Sequence, residues 1–202
     1  MHFDDLVALT IHDVKNRLTL LAAHAEHHAD KPMLHGLLET ACTLTDLLAF
    51  YKAEQGLLDA QINACVPSDL VSDLAQEFSQ QTQLTLRTET AQAPLLAFYD
   101  PNLIRMVLLN PLYNAVRHAR ETITLSVHAE PGWLIFTVAD DGEGFPPEML
   151  DPDHLTQHPT DGTGLGLLLA QKVAELHRHA GISGTIRLSN QDGAVFQLCL
   201  PQ

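Results

Sequence analysis

Near the start of the chain the apolar residues Val7, Ile11, Val14, Leu18, Leu21 and Ala25 recur with alternating gaps of four and three. Two apolar positions in every seven form a seam that a helix buries against another helix, so this end of the chain is committed to helix–helix packing. His12 lies beside the seam but turned off it, next to Asp13, with Asn16 one turn further along the same exposed face. The pattern holds a titratable, nucleophilic imidazole on a rigid helix with a carboxylate as its neighbour. By itself this is most simply a solvated surface histidine.

The spacing predicts one long helix from about Phe3 to Ala29, broken at Lys31-Pro32, because proline disfavours helical geometry in the residue before it. A second helix follows on Leu34, Leu37, Ala41, Leu44, Leu48 and Tyr51, fading near Gly56. One hairpin covers only one stripe of each helix, so two copies pairing as a four-helix bundle is the natural solution, and residues 1–58 are expected to form a homodimer.

The 202 residues suffice for two small domains with a real core, and the apolar fraction of 46% suits a water-soluble globular chain. No apolar run reaches the roughly 18 to 20 residues that span a bilayer. The acidic start (Asp4, Asp5) does not read as a secretory signal. Cys42, Cys65 and Cys199 are few, odd in number and far apart, the pattern of buried thiols in a reducing compartment; a cytoplasmic location is expected. A net charge of −14 with only 11 basic residues argues against a nucleic-acid surface, although backbone N–H groups and a divalent metal let an acidic protein hold a nucleotide. His24, His27 and His28 have chelating spacing, but no cysteine or carboxylate set completes a metal site, and they read as a solvated helix face.

From Leu57 the texture changes, and a boundary is expected near residue 58, with a second domain over 59–202. A short strand within Gln61–Val66, a helix opening at Pro67-Ser68-Asp69, an alternating strand at Leu84–Thr88, a short piece at Leu95–Phe98 and a helix from Asp100-Pro101 to about Ala119 follow in order. Strands Ile123–His128 and Leu134–Val138 flank a Pro131-Gly132 turn. A loop-rich stretch over Gly142–Gly166 leads into a helix over Leu167–Ala180 and closing strands Gly184–Leu188 and Ala194–Leu200. Helices and strands without regular βαβ alternation make this an α+β sandwich with a mixed sheet.

Three clusters in this second domain carry candidate chemistry. Asn110 and Asn114 stand one turn apart on an otherwise apolar helix, with Arg117 and His118 continuing the same side. Amide oxygens suit Mg²⁺, and amide and guanidinium N–H groups suit phosphate oxygens; a plain polar helix face reads equally well. In Asp140-Asp141-Gly142-Glu143-Gly144 a strand runs into two acids and spaced glycines: a carboxylate there can accept a hydrogen bond from an exocyclic amine such as adenine N6, and glycines let backbone lie against a base. Asp-Gly turns are common, so this signal alone is weak. Gly162-Thr163-Gly164-Leu165-Gly166 opens the last long helix and offers N–H groups to phosphates. A dinucleotide-binding fold would need a strand just before these glycines; the polar, proline-bearing Asp151–Asp161 is not one, and the stretch reads as a loop closing over a nucleotide.

In this order, after a histidine-bearing helical hairpin, the clusters resemble the catalytic core of a two-component sensor histidine kinase. His12-Asp13-Val14-Lys15-Asn16 resembles that family's H box, Asn110–Asn114 its N box, Asp140–Gly144 its G1 box and Gly162–Gly166 its G2 box; Ala180–Gly184 and Gly193–Pro201 resemble its closing hairpin. The resemblance spans nearly the whole chain and implies a dimeric helical hairpin followed by a GHKL-type (Bergerat-like) α/β-sandwich. It implies that His12 takes the γ-phosphate of ATP on a ring nitrogen, that Asp13 orients or deprotonates the imidazole, and that Asn16 helps position a water for dephosphorylating the partner regulator. It implies that Asn114 holds Mg²⁺ with Asn110, Arg117 and His118 near the phosphates, that Asp140 binds adenine, and that Gly142, Gly144, Gly162, Thr163, Gly164, Leu165 and Gly166 shape the pocket and its lid. The phosphate would pass to an aspartate on a response regulator receiver domain. A histidine phosphotransfer or scaffold protein that keeps the kinase fold without catalysis is the alternative; a related ATPase driving conformational change would have no need of the His12 hairpin.

Overall fold

Two helices, α1 (Phe3–His27) and α2 (Lys31–Glu54), fold back on one another across a short connection. The structure is a computed structural model that describes residues 3–28, 30–150 and 164–202; the side chains of residues 3–9, 12, 31, 32 and 35 fall outside that description. Asp30 caps α2, its carboxylate accepting from the Met33 N–H at 3.1 Å. Pro32 sits in the first turn, where a missing N–H costs nothing, so Lys31-Pro32 opens the second helix rather than breaking the first, which stops at His27 and not at Ala29. At the far end Gly56 adopts φ +67°, and the Leu57 and Gly56 N–H groups donate to the Lys52 and Ala53 carbonyls at 2.8 and 3.0 Å. This double return satisfies carbonyls that the helix end would otherwise leave orphaned.

The heptad seam divides within the chain. Ala22 and Ala25 are buried and Ile11 and Leu18 half-buried, whereas Val14 and Leu21, one heptad apart, are 39% and 47% exposed. Among the described side chains of α2 the buried ones are Cys42, Asp46 and Ala49, and the expected stripe from Leu34 to Tyr51 is only half-covered. The contact is therefore rotated from the leucine stripe toward small side chains, which let two backbones approach closely. Burial, with Asp46 and Glu39 close by, pushes the Cys42 thiol up to about 12, so it stays a neutral, unreactive core residue.

By its contacts the chain divides into two compact units, Met1–Leu58 and Asp59–Gln202. In the second, β1 (Asn63–Cys65) pairs antiparallel with β3 (Ala97–Tyr99), either side of α3 (Pro67–Gln81) and β2 (Thr85–Glu89). Then follow α4 (Pro101–His118), β4 (Thr122–Glu130), β5 (Trp133–Asp140), a 3-10 turn at Pro147–Leu150 and α5 (Leu165–Leu176). A small hairpin of β6 (Arg178–His179) and β7 (Ile182–Ser183) precedes β8 (Thr185–Asn190) and β9 (Ala194–Pro201). The main sheet has the order β2-β4-β5-β9-β8, parallel only between β2 and β4. An α+β chain with helices first and a mixed sheet after is thus what the sequence pattern led one to expect.

Helices α3, α4 and α5 cover one face of that sheet. Register puts Leu125 beside Val138 and Phe196, and Val127 beside Phe136 and Leu198, all at most 3% exposed. From the helices Leu74, Phe78, Ile104, Leu108, Leu112, Leu169 and Val173 meet them, each fully buried. Phe78 lies against Tyr113 and Tyr99 against Phe136, with ring centroids 5.0 and 5.4 Å apart in the tilted and edge-on geometries that aromatic pairs favour. Burying a side chain of this size contributes about 1.5–3 kcal/mol.

Two expected elements shift. The last long helix stops at Leu176 and not at Ala180: the buried His177 donates from Nδ1 to the Val173 carbonyl at 2.8 Å, and Ala180 and Gly181 (φ +49° and +82°) turn the β6–β7 hairpin. The piece expected at Leu95–Phe98 is β3, Ala97–Tyr99; pairing with β1 and burial of Tyr99 fix that register, leaving Leu95 89% exposed. Among the described residues no helix is long and apolar enough to cross a membrane.

Candidate functional site

The carboxyl ends of β5 and α4 meet at one turn. Asp140, the last residue of β5, accepts on Oδ1 from the Gly142 N–H at 2.8 Å and the Ala194 N–H at 3.3 Å. Its Oδ2 makes no hydrogen bond among the described residues and is left to accept from outside. The neighbouring Asp141 turns the other way: its two oxygens accept from the Arg120, Glu121 and Thr122 N–H groups at 2.8–3.1 Å. Partial burial raises its carboxyl, but the N–H groups of Glu121, Thr122 and Arg120 outweigh that and hold it below the usual carboxylate range. Two adjacent acids thus take different roles. Asp141 ties the end of α4 to the start of β4, and Asp140 keeps one oxygen open.

Glycine is required here by close approach. A Cβ on Gly142 would stand 2.4 Å from the His118 carbonyl oxygen, and one on Gly193 would stand 2.1 Å from that of Asp140. Gly144 adopts φ +86° with the Asn190 amide against it. The β8–β9 turn is therefore pressed onto the Asp140–Gly144 turn at both of its ends.

Asn110 and Asn114 lie on α4, half-buried and exposed respectively, and the Asn110 amide packs on Gly166 of α5, where a Cβ would come within 2.7 Å of Nδ2. Gly164, at φ +63°, precedes α5, and Leu165 is its first residue. The structure thus brings Asn110 to the first turn of α5 and His118 to Gly142. Arg117 and His118 are exposed in the last turn of α4. Gly162 and Thr163 lie outside the described residues. His12, Asp13 and Asn16 belong to α1, with Asp13 and Asn16 exposed; the His12 side chain lies outside the description.

Below the site, α4 is anchored by residues that periodicity does not single out. Asp100 is 4% exposed; its Oδ1 accepts from the Asn102 and Leu103 N–H groups and its Oδ2 from Gln61 N–H at 2.8 Å. Its own N–H donates to Nε2 of the buried His177 at 3.0 Å. With Nδ1 donating to Val173, the ring is neutral and fully engaged; burial holds it below its ordinary pKa, and the Val173 carbonyl and Asp100 recover only part of that. The Asp-Pro helix start is a legible sign of the cap, but its pairing with a histidine 77 residues away is not.

Among the described residues no group of three or more ligating side chains is placed to hold a metal ion. The rings of His24 and His27 contact that of His28, with centroids 4.4 and 5.3 Å away. All three cysteines are free.

Comparison with known proteins agrees with this architecture. Residues 99–202 match the family model of histidine kinase-, DNA gyrase B- and HSP90-like ATPases. The chain is 27% identical to the sensor histidine kinase ZraS of Salmonella typhimurium across 97% of this chain and 45% of that protein. It is 29% identical to the sensor histidine kinase RppB of Synechocystis across 78% of this chain and 37% of that one. The chain thus spans less than half the length of these relatives. In fold it resembles full-length ShkA, solved in complex with AMPPNP, with a TM-score of 0.64 at 19% identity over 96% of this chain and 44% of that one. The turn built on Asp140, the amide-bearing α4 and the glycine-led α5 all fall within the matched residues, and the chain belongs to the histidine kinase-, DNA gyrase B- and HSP90-like ATPase family.

Proposed function

We propose that this chain is the catalytic core of an ATP-dependent protein-histidine kinase: the α/β unit binds ATP and charges His12 on the helical hairpin, which passes the phosphate to an aspartate of a response regulator receiver domain. The observation that carries the nucleotide half is the division of labour at Asp140, whose Oδ1 is tied to backbone while Oδ2 is free to accept from the adenine amine. Gly142, Gly144 and Gly166 give the backbone its close approach, and Gly164 takes the left-handed conformation that leads into α5. The kinase half rests on a histidine beside an acid on a hairpin of its own, and on the sensor kinases to which the chain is similar.

In this reading Asp140 selects the base, and Asn110, Arg117 and His118 line the phosphate side of α4. Asn114 is exposed and its amide has no hydrogen bond among the described residues, so its oxygen fits a hard divalent cation such as Mg²⁺. Mg²⁺ there supplies neutralisation of phosphate charge. His12 attacks the γ-phosphorus through a neutral ring nitrogen, Asp13 orients the imidazole and takes up its proton, and ADP leaves. Asn16, one turn on, positions a water for removing phosphate from the regulator.

The exposed Val14 and Leu21 column and the half-covered leucines of α2 support pairing of two copies through residues 1–58 as a four-helix bundle. Three free thiols suit a reducing compartment, and we place this core in the cytoplasm. The test is incubation with γ-labelled ATP and Mg²⁺. Acid-labile, base-stable label that is lost in His12→Ala and in Asn114→Ala is expected. Nucleotide binding without label would overturn the kinase in favour of a phosphotransfer or scaffold protein.

A further inference from the structure

The β8–β9 hairpin touches the Asp140–Gly144 turn through a residue that no box of the sequence contains. Asn190, the last residue of β8, makes two hydrogen bonds to Phe145: the Phe145 N–H donates to Asn190 Oδ1 at 2.8 Å, and Asn190 Nδ2 donates to the Phe145 carbonyl at 2.8 Å. One side-chain amide thereby occupies both backbone groups of a single residue, as a neighbouring strand would. The amide lies flat on Gly144: a Cβ there would meet Asn190 Cγ, Nδ2 and Oδ1 at 2.7–2.8 Å. Three residues on, Gly193 packs on the Asp140 carbonyl, and the N–H of the next residue, Ala194, holds Asp140 Oδ1. The loop carrying the base-facing acid is gripped at both ends by one hairpin.

We propose that Asn190 is a positioning residue for nucleotide selection: by clasping Phe145 it holds the Asp140–Phe145 turn in the shape that keeps Asp140 Oδ1 on the Gly142 N–H and Oδ2 presented to an exocyclic amine. The inference rests on the nucleotide reading above. Without the clasp, the turn has only its Asp140 end fixed and Phe145 is released, so the Gly142 N–H on Asp140 Oδ1 loosens and Oδ2 is presented less precisely. The effect falls on discrimination at the base. A hydrogen bond presented to the wrong place costs the preferred ligand and spares the one that never made it.

The experiment compares ADP with inosine diphosphate, whose base carries a carbonyl in place of the amine, by titration calorimetry on the full chain. Wild type is expected to prefer ADP. Asn190→Ala is expected to weaken ADP by about tenfold, through the loss of the two side-chain bonds to the Phe145 backbone, and inosine diphosphate by much less, so that the preference collapses. Equal weakening of both ligands, or an unchanged preference, would overturn the role of Asn190. Failure of wild type to bind either nucleotide would instead overturn the underlying reading. Asn190→Asp is the second variant: it still accepts from the Phe145 N–H but repels the Phe145 carbonyl, so half of the clasp opens while the fold is kept, and it is expected to lose part of the preference. It decides the matter if the alanine variant does not fold.

Discussion

The hairpin and the α/β unit solve the problem of a core in opposite ways. In the hairpin the described buried apolar residues are Ala22, Ala25, Cys42 and Ala49, with a buried acid, Asp46, among them, while Val14, Leu20, Leu21 and Leu47 face outward. The α/β unit builds a core of large residues, burying Phe78, Tyr99, Phe136 and Phe196 among a dozen or so large side chains. Among the described residues the first buries mostly small side chains and leaves larger ones at its surface, as the proposed pairing of copies requires; the second has a core of its own. Under the proposed function, a phosphoacceptor helix that meets an ATP site and a regulator in turn is well served by a surface that another helix completes. A nucleotide pocket needs a rigid wall.

Breaking the self-sufficient side gives the largest effect. Phe136→Ala, at the centre of the sheet, is expected to lower the stability of the α/β unit by about 3–5 kcal/mol in urea unfolding, independent of protein concentration. The hairpin responds differently. Leu21→Asp is expected to cost the monomer little, since Leu21 is 47% exposed, but to abolish pairing of two copies by placing a charge in their contact. Sedimentation at a series of concentrations checks this. A wild-type chain that is monomeric throughout would remove the dimer.

Smaller effects sharpen the picture of how α4 is held. Asp100→Ala removes the acceptor of three backbone N–H groups, including the helix cap, and is expected to cost about 1–2 kcal/mol by urea unfolding. Least in size is a pH effect. His177 is held below its ordinary value of 6.5, so the unfolded chain takes up the proton first. The contribution of His177 is fully present above about pH 6.5 and is lost as pH falls below it toward the folded value. A melting series from pH 7.5 to 5.5 should decline for wild type and more gently for His177→Gln. Asp141, held low by Glu121, Thr122 and Arg120, titrates beneath that window and leaves it clean.

Much of this was legible from the chain. The 3-4 spacing around Val14 marks the hairpin, the Pro131-Gly132 turn marks the β4–β5 pair, and the Asp140-to-Gly144 run marks the site, because each is a local pattern with a local cause. Two things were not. The face that α2 buries is set by how closely Ala22, Ala25 and Ala49 let the helices approach, a property of the pair and not of either stripe. Asn190, Gly193 and the His177–Asp100 contact act across 45 to 77 residues, and only the sheet's register, which carries β9 alongside β5, brings them to the turn and to α4. Asp141 reads in sequence as a second pocket acid; its three backbone partners show it to be a fastening.

The central claim is that the α/β unit phosphorylates the histidine of the hairpin. The most direct measurement is mass-spectrometric localisation of phosphate on the full chain after incubation with ATP and Mg²⁺, under alkaline conditions that preserve phosphohistidine. Phosphate on His12 is expected in wild type and none in Asn114→Ala. Phosphate confined to another residue, or a chain that binds ATP and remains unmodified, would contradict it.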